Sequence, residues 1–274
     1  MDSVEKGIKE SHDWQKFARW SIFFPLGLLL LVWLLNTPPG LLGKADAVGY
    51  AVCHRIDGRS FHLGERQLPL CARCSGMYLG AMLGLLFQAR LGRRSGTPPK
   101  RVLFVLALLV LAFGVDGLNS YLYLFLQKPL LYTPQNLLRL LTGTGMGLVI
   151  AAAIYPAFQM TIWKRIDRRP ALEGLISLGI LFSLAFGLDL LVLSENPLVL
   201  YPLALLSALS VLVILTMIYS LVWVMLFKLE NRFLAFRQLT LPLAGGFVIG
   251  LAQIAVLDLV RFLLTGTWDG FHIG

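Results

Sequence analysis

The chain has 274 residues, 57% of them hydrophobic and only 14% charged, with a mean hydropathy of +0.74 and a formal net charge of +9. So few charges cannot cover the apolar surface of a soluble domain of this size, which excludes that class. The positive balance does not indicate nucleic acid either, because Lys and Arg in a membrane protein mark cytoplasmic loops and touch anionic lipid.

Several apolar runs exceed the roughly 18 residues that read as a bilayer span. They are long and apolar all round rather than short and alternating, so helices and not barrel strands are expected. The fold class is all-α, a polytopic transmembrane bundle of about seven spans with membrane lipid as its surroundings.

Residues 1–19 balance Lys6, Lys9, Lys16 and Arg19 against Asp2, Glu5, Glu10 and Asp13, as a cytoplasmic N-terminal segment would. The first span is 20–35, closed by Asn36-Thr37-Pro38-Pro39-Gly40 and too long for a typical signal-peptide core. A loop over 36–74 leads into span two at 75–88. Spans three to seven are expected at 102–118, 136–158, 172–193, 198–227 and 239–264. The connections 89–101, 159–170 and 228–238 hold twelve Lys/Arg and alternate onto one side, so the expected orientation is N-in and C-out. Residues 20–158 form a membrane core and 159–274 add three further spans.

Small residues favour close helix packing. Gly76, Gly80 and Gly84 repeat every four positions, as do Gly143 with Gly147 and Gly246 with Gly250.

Ionisable groups inside spans are expensive and are functional candidates by default. Asp116, Arg139, Asp189, Asp258 and Arg261 all fall toward the outward ends of their spans. Structural ion pairs such as Asp116–Arg139 or Asp258–Arg261 are the plain alternative to a polar cavity.

Beside them the loop concentrates Cys53, His54, Arg55, Arg59, His62, Arg66, Cys71, Arg73 and Cys74 within 22 residues. Arginine is disfavoured on that side, and its planar fork grips phosphate or carboxylate, so either an anionic or lipid-linked substrate is an expected partner or acidic groups within the protein pair with it. Three readings of the cysteines stand. Cys53, Cys71 and Cys74 with His54 or His62 suit tetrahedral zinc, the C-x-x-C supplying two ligands from one turn. Alternatively Cys71 and Cys74 form a redox disulfide at a helix start, which favours thiolate, with a membrane quinone as acceptor. Or one structural disulfide staples the loop; three cysteines cannot all pair internally. On the helices, Asp116 reads as a base or orienting group. Asn136 and Arg139 share a face, and Arg55, Arg59, Arg73 and Asn136 read as substrate-binding. A non-enzymatic lipid binder, transporter or assembly factor is the third class of function.

Cys53-His54-Arg55, Arg59-Ser60-Phe61 and Gly64-x-x-Gln67-x-Pro69-x-Cys71-Ala72-Arg73-Cys74-x-Gly76 together resemble the signature of a bacterial and archaeal membrane-protein family, domain of unknown function 2085. Asp116-Gly117 and Asn136 to Gly143 resemble its later elements. The likeness covers roughly residues 45–150. It implies a prokaryotic cell (inner) membrane location and one site made of both blocks, but supplies no reaction.

Overall fold

The computed structural model describes residues 20–270. The expected cytoplasmic segment 1–19 lies outside the described residues. The protein is all-α. Its helices are α1 (Trp20–Asn36), α2 (Gly40–Val52), α3 (Ala72–Ala89), α4 (Lys100–Leu126), α5 (Asn136–Ile162), α6 (Leu175–Leu193), α7 (Pro197–Leu226) and α8 (Thr240–Thr265). Two minimal sheets accompany them: β1 (His62–Leu63) antiparallel to β2 (Arg66–Gln67), and β3 (Arg94–Gly96) parallel to β4 (Asp167–Pro170).

Among the described residues five helices, α4 to α8, are long and apolar enough to cross a membrane, or six crossings if α1 and α2 count as one broken span. The seventh expected crossing is α3. Arg73, Tyr78 and Gln88 dilute its apolar run, and 11 of its 18 residues are buried among the other helices.

One expectation is corrected. The stretch 36–74 is not all loop: residues Gly40–Val52 form α2, which meets α1 at 104°. Pro38-Pro39 breaks the chain between them. Thr37 Oγ1 donates to the Trp33 carbonyl at 2.7 Å, and Lys44 Nζ donates to Thr37 O at 2.9 Å, to Thr37 Oγ1 at 2.8 Å and to the Leu34 carbonyl. The exposed end of α1 is thereby satisfied at the bend. Ala45, Ala47 and Val48 then bury against Ala208 and Val211 of α7 and Leu251 and Ile254 of α8.

The three basic connections meet at one end of the bundle. Lys164 N donates to Phe233 O at 3.0 Å, Asp167 N to Arg93 O at 2.9 Å and Asn231 N to Thr161 O at 2.9 Å. The cysteine loop lies at the other end.

The bundle centres on α3 and α5, its most extensive helix pair. A Cβ on Gly80 would come within 2.6 Å of Thr144 O, and one on Gly84 within 2.6 Å of Ala151 Cβ. Gly147 sits against the Met77 carbonyl and Ala81 nitrogen in the same way. The small-residue repeats therefore mark a true backbone contact. Gly147→Val is expected to cost about 1–3 kcal/mol by overpacking, measured by denaturant unfolding in detergent. An unchanged midpoint would mean that this contact is loose.

Candidate functional site

The three cysteines come from two helix ends. Cys53 follows the last turn of α2, its N–H bonded to Gly49 O at 2.8 Å. Cys71 is the N-cap residue of α3 and Cys74 lies in its first turn. Gly49 makes the meeting possible, because a Cβ there would overlap the Pro69 carbonyl and push α2 off the strand that leads to Cys71. The three sulfurs lie within 4.8 Å of one another, and all three thiols are free.

The Cys53 sulfur accepts two backbone N–H groups, from Cys71 at 3.3 Å and Arg55 at 3.5 Å. Arg55 adopts φ +50° to deliver its N–H, a left-handed conformation that a non-glycine residue holds only where its surroundings enforce it. Donors aimed at sulfur favour thiolate, as does the start of α3. Cys71 is held well below the usual thiol range, chiefly by hydrogen bonds from Cys53 and then Cys74. Cys53 is pushed up to about 12, first by the proton that it shares with Cys71.

Arg261 of α8 fixes this corner. Its guanidinium donates to Tyr50 O and Cys53 O at 2.6 Å each and to His54 O at 3.2 Å, and stacks 4.0 Å over the Tyr50 ring. A cation on the last carbonyls of α2 also complements that helix's dipole.

A cavity of about 360 Å³ opens beside the sulfurs. His54, Arg59, Cys71, Arg73, Cys74 and Arg139 are in its wall, with Gly117, Ser120, Tyr121 and Leu124 of α4 opposite. Gly143 brings α5 against the Arg73 carbonyl, where a Cβ would collide. Arg139 donates to Asn136 Oδ1 at 2.8 Å, while Asn136 Nδ2 reaches Ser60 O at 3.4 Å, so Asn136 positions Arg139 and ties α5 to the loop. The buried Nε of Arg139 has no partner among the described residues. Arg59 reaches Ser120 O at 3.5 Å, and burial followed by the charge of Arg73 lowers its pKa.

Asp116 is 1% exposed and pairs with Arg73. Its other oxygen accepts from Tyr132 at 2.7 Å, and Thr142 reaches the Arg73-paired oxygen at 3.3 Å. Arg73 also donates to Ser120 Oγ at 3.0 Å. The weighed Asp116–Arg139 ion pair does not form. Burial, then the hydrogen bond to Asp116, pushes the Tyr132 hydroxyl up to about 12.

Other expected site residues are placed elsewhere. Arg55 is buried against Asp46 at 3.0 Å and the Trp268 carbonyl at 3.2 Å, outside the wall of this cavity. His62 pairs with Asp57 at 2.8 Å, and no histidine nitrogen joins the sulfur group among the described residues. Sequence reasoning missed Asp46 and Tyr132. The surplus of loop arginines was a signal that a buried acid had to be near; nothing singled out Tyr132.

Residues 53–153 match the family described as "Predicted membrane protein (DUF2085)". An uncharacterised protein of Methanothermobacter thermautotrophicus is 30% identical over 105 residues, which cover 38% of this chain and 86% of the relative. The chain belongs to the DUF2085 family. A second relative of this DUF2085 protein, an uncharacterised protein of Methanocaldococcus jannaschii, is 28% identical over 120 residues, 43% of this chain and 71% of the relative. The family match spans the sulfurs, Asp116 and Arg139 together. No solved structure matches this DUF2085 protein.

Proposed function

We propose that this DUF2085 protein is a zinc-dependent membrane enzyme acting on an anionic, lipid-linked substrate at the outward face of a prokaryotic cell membrane. One observation carries the reading: a single cavity has Cys71, Cys74, Arg59, Arg73 and Arg139 in its wall, with Cys53 completing the sulfur group. Three thiolates suit zinc and leave one tetrahedral position for another ligand, with His54 in the same wall. Zinc with an open position supplies Lewis acidity. Arg59 and Arg139 offer guanidinium donors to a phosphate or carboxylate. Asp116 orients Arg73, and Tyr121 and Leu124 give the cavity an apolar flank suited to a lipid tail. The gathering of the basic connections at the opposite end supports the outward placement.

Purified protein is expected to carry about one zinc per chain, measured by elemental analysis. Arg139→Ala should retain that zinc while weakening binding of inorganic phosphate or a short polyprenyl phosphate about tenfold or more. Loss of zinc with unaltered phosphate binding would separate Arg139 from the anion. Metal-free protein with a Cys71–Cys74 disulfide would instead favour a second reading, supported by two free thiols at the α3 start. There, two thiols would become a disulfide while a quinone takes up two electrons and two protons.

A further inference from the structure

A second cavity, of about 550 Å³, lies on the flank of the bundle between α1 and α8. Leu29 and Val32 of α1 and Ala255, Leu259 and Leu263 of α8 give it apolar walls, and Trp33, Phe262 and Trp268 add aromatic ones. Thr37, where α1 ends, lines it too. Trp268 closes it toward the cysteine loop, stacking on Tyr50 at 5.0 Å and on Phe262 at 5.5 Å.

One ionisable side chain is in this wall. Asp258 is 3% exposed, and its Oδ2 accepts from Trp33 Nε1 at 3.0 Å. Its buried Oδ1 has no hydrogen-bond partner among the described residues. The weighed Asp258–Arg261 pair is not the arrangement found: Arg261, one turn on, directs its donors to the carbonyls of Tyr50, Cys53 and His54. A carboxylate oxygen without a donor is costly in apolar surroundings, and the cost falls when a cationic donor enters. Aromatic faces around the same space favour an ammonium further. Pockets of this size and make-up, apolar with one convergent polar group, are ligand sites by default.

We propose that this cavity binds a long-chain alkylammonium amphiphile, its amine on Asp258 Oδ1 and its chain along α1 and α8. The cavity is separate from the cysteine site in lining residues, and the inference stands whether or not that site holds metal. The alkyl chain enters from the bilayer, where Leu259 and Leu263 face outward (58% and 74% exposed). Trp33 reports on occupancy, since its indole is bonded to the ligating carboxylate.

The test uses the full chain in phosphatidylcholine nanodiscs. A long-chain alkylamine with a bromine near its head is titrated in, and the quenching of tryptophan fluorescence is followed. A saturable component is expected for the wild type, weakened about tenfold or more in Asp258→Asn, which keeps an acceptor for Trp33. The N-acetylated form of the same amine, titrated into wild-type protein, needs no variant: it should lack the saturable component. Equal quenching by amine and acetamide, or by wild type and Asp258→Asn, would overturn the proposal. So would a matched alcohol that binds as tightly as the amine.

Discussion

Cys53→Ser is expected to lower zinc affinity by at least about a hundredfold, leaving the purified protein largely metal-free by elemental analysis. Structural zinc sites in zinc-finger peptides bind with roughly 10–16 kcal/mol over four ligands, so one ligand contributes on the order of 3 kcal/mol. Serine keeps its proton at neutral pH and is no substitute for thiolate. Cys53 is also the one sulfur contributed by α2, and two backbone N–H groups converge on it. Its loss should therefore uncouple the α2 end from the α3 start. Chelation of the wild type should lower stability in the same way, by about 4 kcal/mol when free metal stands a thousandfold above its Kd. Wild-type zinc content in Cys53→Ser would reduce the site to a two-thiol pair on α3 and sink the three-sulfur centre.

Asp116→Ala should destabilise the fold by about 3–5 kcal/mol, the usual consequence of leaving one member of a buried ion pair alone. Asp116 is nearly inaccessible, and it loses three partners at once: Arg73, Tyr132 and Thr142. Arg73 then remains in a wall shared with Arg59 and Arg139, with no carboxylate to offset them. Asp116→Asn, which retains acceptor and donor atoms, should cost less. Removing both charges in Asp116→Leu/Arg73→Met should recover much of the loss, because the isolated charge is gone. Denaturant unfolding in detergent reads all three. A single Asp116→Ala variant as stable as the wild type would mean that the pair is solvated, and that the cavity is wet enough to screen its arginines.

Particular residues show how far the sequence could be read. The apolar runs over α4 to α8 place those helices, because in lipid a chain has no other way to satisfy its backbone. The glycine repeats mark α3 and α5 as helices that can be approached closely, though not that they approach each other. Cys71 and Cys74, spaced by two, sit on one turn wherever that turn begins. The bend at Pro38-Pro39 was legible as a break, but the helix beyond it was not. Gly43, Lys44 and Asp46 read as loop until α7 and α8 offer a face for Ala45, Ala47 and Val48.

Partner choice was the least legible part. Asp116 had Arg139 as a plausible mate in sequence, yet Arg73 takes it, because Gly143 draws the α3 start against α5. Likewise Asp258 bonds Trp33 from a helix 225 positions away, while Arg261 goes to the end of α2. Arg55 and His62, which read as ligand-binding, have acids of their own in Asp46 and Asp57.

The sequence by itself determined an all-helical membrane protein, the helices that could pack closely and the collection of sulfur and arginine in one loop. These follow from local rules: hydrophobic length, small-residue spacing and the two-residue gap between cysteines. Only the tertiary structure decided which charges meet, that His62 turns to Asp57, and that Cys53 reaches Cys71. Those outcomes depend on the angle at which α2 returns from α1 and on two glycine contacts. Pairings between distant segments follow from backbone approach, which no local pattern records.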